Sequence, residues 1–353
     1  MRAIAAVAGL GLVLGLTACT AGPPGAGGPP DASRQAEPTP HPLLALDCDE
    51  LVDADVFRAG FGEPLGVRAP YVEGYGGMGN VATAALALAG ATRCAWGDDE
   101  RYLEVDVLPA AETEWERLEA ELQMFQPQEG AHGEAAWFSC RPGERPGCRA
   151  DVLAGRNWVA VNAFGLVDVA ALDAVLAPLV ARVAAAEVAN PDWPAPASVP
   201  VDCAALLPRE AVHSSIGDDV EPWTDRGPVL SQTLRQAALD RAGAVHCAWR
   251  NGFGSATART VDLVVLPGGD LVWDAHFAAP VPEWVERESF DELGDAGFSA
   301  VHTSTFTGAI DGVVSTLSPG GAWVDVWAND EARDDDLDIA VSLAGTALQT
   351  LGP

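Results

Sequence analysis

Gly90-Ala91-Thr92-Arg93-Cys94-Ala95-Trp96 returns 153 residues later as Gly243-Ala244-Val245-His246-Cys247-Ala248-Trp249. This repeat decides how the chain is read, because other landmarks keep the same order around it. Upstream, Asp47-Cys48-x-x-Leu51 returns as Asp202-Cys203-x-x-Leu206; downstream, Val107-Leu108-Pro109 returns as Val265-Leu266-Pro267. Trp115 then matches Trp273, Gly133-Glu134-Ala135 matches Gly294-Asp295-Ala296, and Trp158-Val159-x-Val161 matches Trp323-Val324-x-Val326. The offset drifts from 153 to 165, as insertions in loops would produce. Self-similarity at a long period marks a repeated structural unit. The chain reads as a duplication: copy one at 44–188, a Pro-rich linker at 189–200 and copy two at 201–353.

Each copy predicts the same succession of elements. A short helix follows the first Cys (49–57 and 204–212), then a variable region, then the strand carrying Cys-Ala-Trp. The next strand alternates, with Leu103, Val105 and Val107 on one side and Glu104 and Asp106 on the other. Pro109 and Pro267 stop these strands. Thr113-x-x-Glu116 predicts a capping box opening a helix with Trp115, Leu118, Leu122 and Phe125 on one face. Asp270 is expected to cap the matching helix, with Trp273 and Phe277 inward. Further strands join at turns over 154–157 and 318–321. Each copy ends in a helix, one lined by Leu172, Val175, Leu176, Leu179 and Val183, the other by Leu337, Val341, Ala344, Leu348 and Leu351. Pro178 predicts a kink in the first. The expected fold class is α+β, two tandem copies of an antiparallel sheet with helices packed on one face. Each copy is long enough for its own core, so the halves are expected to fold separately when cut within 189–200.

The first residues carry an address. An apolar run, Ala3 to Leu16, follows Arg2 and ends in Leu16-Thr17-Ala18-Cys19. The run has the layout of a secretory signal and is too short to span a bilayer. Its ending resembles the lipobox of bacterial lipoproteins. That resemblance implies a signal peptide over 1–18 and a mature N-terminus at Cys19, whose thiol carries a diacylglyceryl group. Half of residues 21–42 are Gly or Pro, so 19–43 reads as a tether. Its reach is about 25 Å coiled and about 70 Å extended.

With Cys19 assigned to lipid, six of the seven Cys remain. Outside the cell they should oxidise. Spacing alone leaves fifteen connectivities, and the repeat chooses among them. Each copy holds one Cys near its start and one in the Cys-Ala-Trp strand, which predicts Cys48–Cys94 and Cys203–Cys247. Cys140 and Cys148 have no counterpart in copy two and pair with each other across 141–147.

The net charge of −31 rests on 51 acidic residues against 20 basic ones, all Arg. Such a field repels nucleic acid and anionic headgroups, so no nucleic-acid partner is expected. The lack of Lys, with abundant Ala, Gly, Asp and Val, points to a GC-rich genome. The lipobox, the tether and the Asp-Cys-x-x-Leu … Cys-x-Trp domain together resemble a family of actinobacterial cell-envelope lipoproteins of unknown function. The doubled domain and the Cys140–Cys148 pair depart from the simplest pattern of that family. The resemblance carries over no functional residue except Cys19.

The candidate chemistries are weak. Gly74-Tyr75-Gly76-Gly77-Met78-Gly79 matches a dinucleotide fingerprint as a string but lacks a strand directly before it, and reads as a loop. The six His, among them His132 and His276, show no metal-ligand spacing. Gly297-Phe298-Ser299-Ala300-Val301 is the nearest string to a nucleophile elbow and falls in a sheet edge. The acidic run 331–338 reads as first-turn carboxylates facing a helix dipole. Trp96, Trp158, Trp249 and Trp323 are expected in the core beside the disulfides. The unmatched Trp193, Trp223, Trp284 and Trp327 are the candidates for a recognition surface. The expectation is a non-enzymatic, lipid-anchored protein at the extracytoplasmic face of the cell membrane. It would hold an envelope protein or ligand without metal, cofactor or catalytic residues. The alternatives are a carrier for an apolar envelope molecule and, last, a cell-wall hydrolase.

Overall fold

Asp47 explains the first motif. Its carboxylate accepts from the Glu50 N–H at 2.8 Å, while Glu50 accepts from the Asp47 N–H at 3.1 Å, a capping box that opens helix α1 (Cys48–Leu51). Leu51 is buried, and Cys48 bridges to Cys94. Asp202 likewise caps α6 (Cys203–Leu206) through the Ala205 N–H at 2.9 Å, with Leu206 buried and Cys203 bridged to Cys247. Asp-Cys-x-x-Leu is therefore a cap, a covalent tie and an apolar anchor in one turn. Asp202→Ala is expected to lower stability by about 1 kcal/mol in urea unfolding, with the slope unchanged.

The protein is described here from a computed structural model. It covers residues 40–69, 79–98, 100–124, 128–141, 143, 146–166, 168–188, 199, 202–217, 220–222, 233–251, 259–279, 285–289, 293, 298–303, 310–329 and 336–352. In the first half, α2 (Ala54–Phe61) follows α1, then β1 (Val67–Arg68), α3 (Gly79–Leu88), β2 (Thr92–Gly97), β3 (Tyr102–Leu108) and α4 (Glu112–Met124). Next come β4 (Gln128–Glu129), β5 (Ala135–Arg141), β6 (Gly147–Ala154), β7 (Asn157–Phe164) and α5 (Val169–Ala185). The second half continues α6 with α7 (Arg209–Ile216), β8 (Val220–Pro222), α8 (Thr233–Arg241), β9 (Val245–Asn251), β10 (Arg259–Leu266) and α9 (Asp270–Ala278). It closes with β11 (Val285–Ser289), β12 (Phe298–Thr303), β13 (Ile310–Leu317), β14 (Trp323–Asn329) and α10 (Asp336–Leu351).

The strands form two antiparallel sheets, in the orders β1-β2-β3-β7-β6-β5-β4 and β8-β9-β10-β14-β13-β12-β11. The opening motif is resolved at the entry to β2 and β9. Both α3 and α8 end in a Schellman turn. Gly90 and Gly243 have φ of +71°, their N–H groups reach the Ala87 and Asp240 carbonyls, and the next N–H groups reach Leu86 and Leu239. The chain then turns straight into the cysteine strand.

Several local readings are corrected. The single helix expected after each first Cys is two, broken where Asp53 caps α2 and where Pro208 keeps Leu207 extended. Helix α4 starts at Glu112, so Thr113 lies inside its first turn and does not cap it. Asp270 is the first helical residue of α9, behind Gly269. Helix α5 continues through Pro178 as one element. Leu118, Leu122 and Phe125 fall outside the described side chains.

The largest correction concerns the layers. Helices cover both faces of each sheet. Cores on the outer faces hold Leu51, Phe57, Cys94, Val105, Val161 and Leu176 in one half and Leu206, Val212, Cys247, Leu263, Val326 and Leu343 in the other. A third core lies between the sheets and draws on both halves: Val81, Leu86, Leu108, Trp115 and Trp158 from the first, Leu234, Leu239, Leu266, Trp273 and Trp323 from the second. Here α3 packs on β10 and β14 of the second sheet, α8 packs on β3 and β7 of the first, and the two helices pack on each other. Each half lends the other a helix, and residues Thr39–Pro353 form one compact unit. The halves are therefore not expected to fold separately, since either alone would expose the face that the other's helix covers.

Candidate functional site: a charge cluster between the halves

Polar residues of β2 and β3 meet α8 inside the central layer. In β3 the alternation is as expected, but the polar side faces another helix and not water. Glu104 and Asp106 are 6% and 3% exposed. From the neighbouring strand β2, the Arg93 Nε donates to Glu104 at 2.9 Å and to Asp106 at 3.1 Å. From α8, in the other half, Arg235 donates to the same Glu104 oxygen at 3.3 Å and its Nε lies 3.7 Å from the second oxygen of Asp106. The Tyr102 hydroxyl donates to the remaining Glu104 oxygen.

Burial raises the Glu104 carboxyl, but Arg93, Arg235 and Tyr102 outweigh it and hold the group below the usual carboxylate range. Burial pushes the Asp106 carboxyl above its ordinary value, and the adjacent Glu104 charge adds to the effect. The carboxylates keep Arg93 protonated against its burial, and burial beside Glu104 raises the Tyr102 phenol. Two carboxylates face two guanidiniums, with every carboxylate oxygen engaged. Such a cluster holds elements together.

A second contact group joins the halves at the end of α8. Arg241 donates to Glu114 of α4 at 2.9 Å and to the carbonyls of Pro109 and Ala110 at 2.6 and 3.0 Å. Arg117 of α4 lies 2.5 Å from Asp240. On the second sheet, His246 and Asp262 occupy the register places of Arg93 and Glu104 and lie 3.2 Å apart.

The matched tryptophans divide between layers. Trp96, against Phe57 at 5.5 Å, and Trp249 lie on the disulfide side as expected. Trp158 and Trp323 lie on the opposite, central face, each edge-on to the matched Trp115 or Trp273 at 5.0 and 4.6 Å. Both buried indole N–H groups donate to a carboxylate, but from different strands. Trp158 uses Asp151 across on β6, whereas Trp323 uses Asp325 of its own strand. In register Asp151 stands at the place of Ser315 and Ala160 at that of Asp325, so the two indoles are served by carboxylates at different strand positions.

Other sequence candidates are scattered. Cys19 and Gly74 to Met78 lie outside the described residues, while Gly79 opens α3. Every described strand pairing is antiparallel, which removes the parallel β–α–β unit a dinucleotide fingerprint requires. His132 sits 2.9 Å from Asp173, and His276 is buried against Trp323. Ser299 lies on β12. Of the acidic run, Asp336 and Asp338 occupy the first turn of α10, and 331–335 are not described. Trp327 is half-buried on β14, and Trp193, Trp223 and Trp284 lie outside the described residues. Among the described residues no three His, Cys, Asp or Glu side chains gather as a metal site, and no helix is long and apolar enough to cross a membrane. The three disulfides are Cys48–Cys94, Cys140–Cys148 and Cys203–Cys247.

The Glu104–Asp106 pair was missed as a site because alternation alone does not say what covers a polar face. Its partner Arg235 lies 131 residues from Glu104. Comparison with known protein families, characterised proteins and solved structures finds no match for this chain.

Proposed function

We propose that the protein is a non-enzymatic, lipid-anchored binding module at the extracytoplasmic face of the cell membrane, with a body built by duplication of one α+β unit. The observation that carries this reading is the use of cysteine. The three disulfides consume all six cysteines of the body and leave Cys19, at the end of the signal-like run, as the seventh. Disulfides on this scale belong to an oxidising compartment, and two acyl chains on Cys19 suffice for stable anchoring. The equal strand order of the two sheets supports the duplication.

The central charge cluster joins the halves, Arg235 of α8 meeting Glu104 and Asp106 of β3, and is given no catalytic role in this reading. Cys19→Ala is expected to release the protein into the medium or leave it unprocessed. Mass spectrometry of the N-terminal peptide should show a diacylglyceryl-modified Cys19 in the native protein only. Normal membrane retention of the variant would contradict the anchor. Recovery of a stoichiometric apolar molecule by solvent extraction of the folded body would replace the binding module with a carrier.

A further inference from the structure

The two seams between the halves are built from opposite chemistry. Helices α3 and α8 hold matching places, ending in the same turn. Ala82 and Arg235 both stand 12 residues before the strand cysteine, and Leu88 and Arg241 both stand 6 before it. The ladders match as well. Cys94 pairs with Val105 and Cys247 with Leu263, so Asp106 corresponds to Val264. Five residues beyond Pro109 and Pro267, Glu114 corresponds to Val272.

On the first seam Arg235 meets Asp106 and Glu104, and Arg241 meets Glu114. On the second, Ala82, Leu88, Val264 and Val272 all lie in the central apolar core. Four charged positions of one seam are four apolar positions of the other. The sheets are balanced accordingly. Glu104 and Asp106 against Arg93 leave one negative charge in excess, which α8 answers with Arg235. Asp262 lies 3.2 Å from His246 within its own sheet, and α3 brings no charge.

From this pattern we infer that the inner face of each half is a recognition surface for the unlike half only, and that it rejects the like half of a second copy of the chain. Pairing two first halves would set Ala82 and Leu88 over Asp106 and Glu114, leaving Arg93 alone to answer Glu104 and Asp106 and leaving Glu114 without Arg241. Pairing two second halves would set Arg235 and Arg241 over Val264 and Val272. Either arrangement buries charge in excess of its counter-ions, which is how an interface excludes a wrong partner. The inference rests on the matched geometry of the halves and is independent of where the chain is anchored.

The test uses the full chain with a protease site inserted within 189–200 and cut after folding. Two populations with different tags on the first half are mixed in mild urea, where halves exchange, and then returned to buffer. Only unlike pairs are expected, and complexes carrying both tags in amounts comparable to unlike pairs would overturn the inference. In the same nicked protein, Arg235→Ala with Arg241→Leu is expected to weaken retention of the halves by about a hundredfold or more. Adding Asp106→Val and Glu114→Val gives the first seam apolar residues at the same four positions as the second. It should restore retention and now produce doubly tagged like pairs. Unchanged retention in the first variant, or only unlike pairs in the second, would equally overturn it. If a variant aggregates, the tag exchange of the unsubstituted protein decides.

Discussion

Arg93→Met is expected to destabilise the protein by about 3–5 kcal/mol, the usual result of removing one partner from a buried ion group. The shape of the side chain is roughly kept, so the loss reports charge and hydrogen bonding more than a cavity. Without Arg93, Glu104 and Asp106, side by side on one face of β3, share Arg235 as their guanidinium, at 3.3 and 3.7 Å. The double variant Arg93→Met with Asp106→Val should recover part of the loss, because it removes the excess carboxylate with its guanidinium and leaves Glu104 to Arg235. Chemical denaturation of both variants checks this, and equal destabilisation by the two would show that the cluster's charge balance is not what stabilises it.

Loss of a long disulfide comes next in size. Cys48–Cys94 and Cys203–Cys247 span 46 and 44 residues, whereas Cys140–Cys148 spans 8 and joins directly opposed positions of β5 and β6. Chain-entropy reasoning gives about 4 kcal/mol for each long bridge and about 2.5 kcal/mol for the short one. Replacing both cysteines of a bridge by Ser should therefore lower melting temperatures in that order. Because the central core is shared, a bridge lost in either half is expected to shift one cooperative transition of the whole body. Two separate transitions would speak against the interlocked architecture.

What the sequence made legible is what is encoded locally. The Cys-Ala-Trp strands are read from their recurrence, and the turn over 154–157 announces a hairpin, which Gly155 turns at φ +62°. The cysteine pairing followed from the repeat. The helices α3 and α8 were not legible. Val81, Ala82, Ala84, Ala85, Leu86 and Leu88 are all buried and Ala87 is exposed, and a helix covered on nearly every side shows no amphipathic stripe. Helix α8 hides for the opposite reason. Its Arg235 and Arg241 read as solvent-facing until the carboxylates they meet are known, and those come from the other half. A fold in which each half completes the other is closed by contacts that neither half's own pattern contains.

The bond between Cys48 and Cys94 also fixes where mechanical load would enter the molecule. A pull on the chain ahead of Cys48 first strains the Leu43–Gly90 and Ala45–Glu187 hydrogen bonds and the Leu44–Val188 bridge. Beyond them it passes through the sulfurs into β2, which is laddered to β3 along its whole length. Helices α1, α2 and α3 lie within the covalent loop and carry no tension. Once the Leu43–Gly90 contact has parted, the helix that seals the second sheet is shielded from a tug on the leading end, and the sheet hydrogen bonds of β2 bear the strain instead.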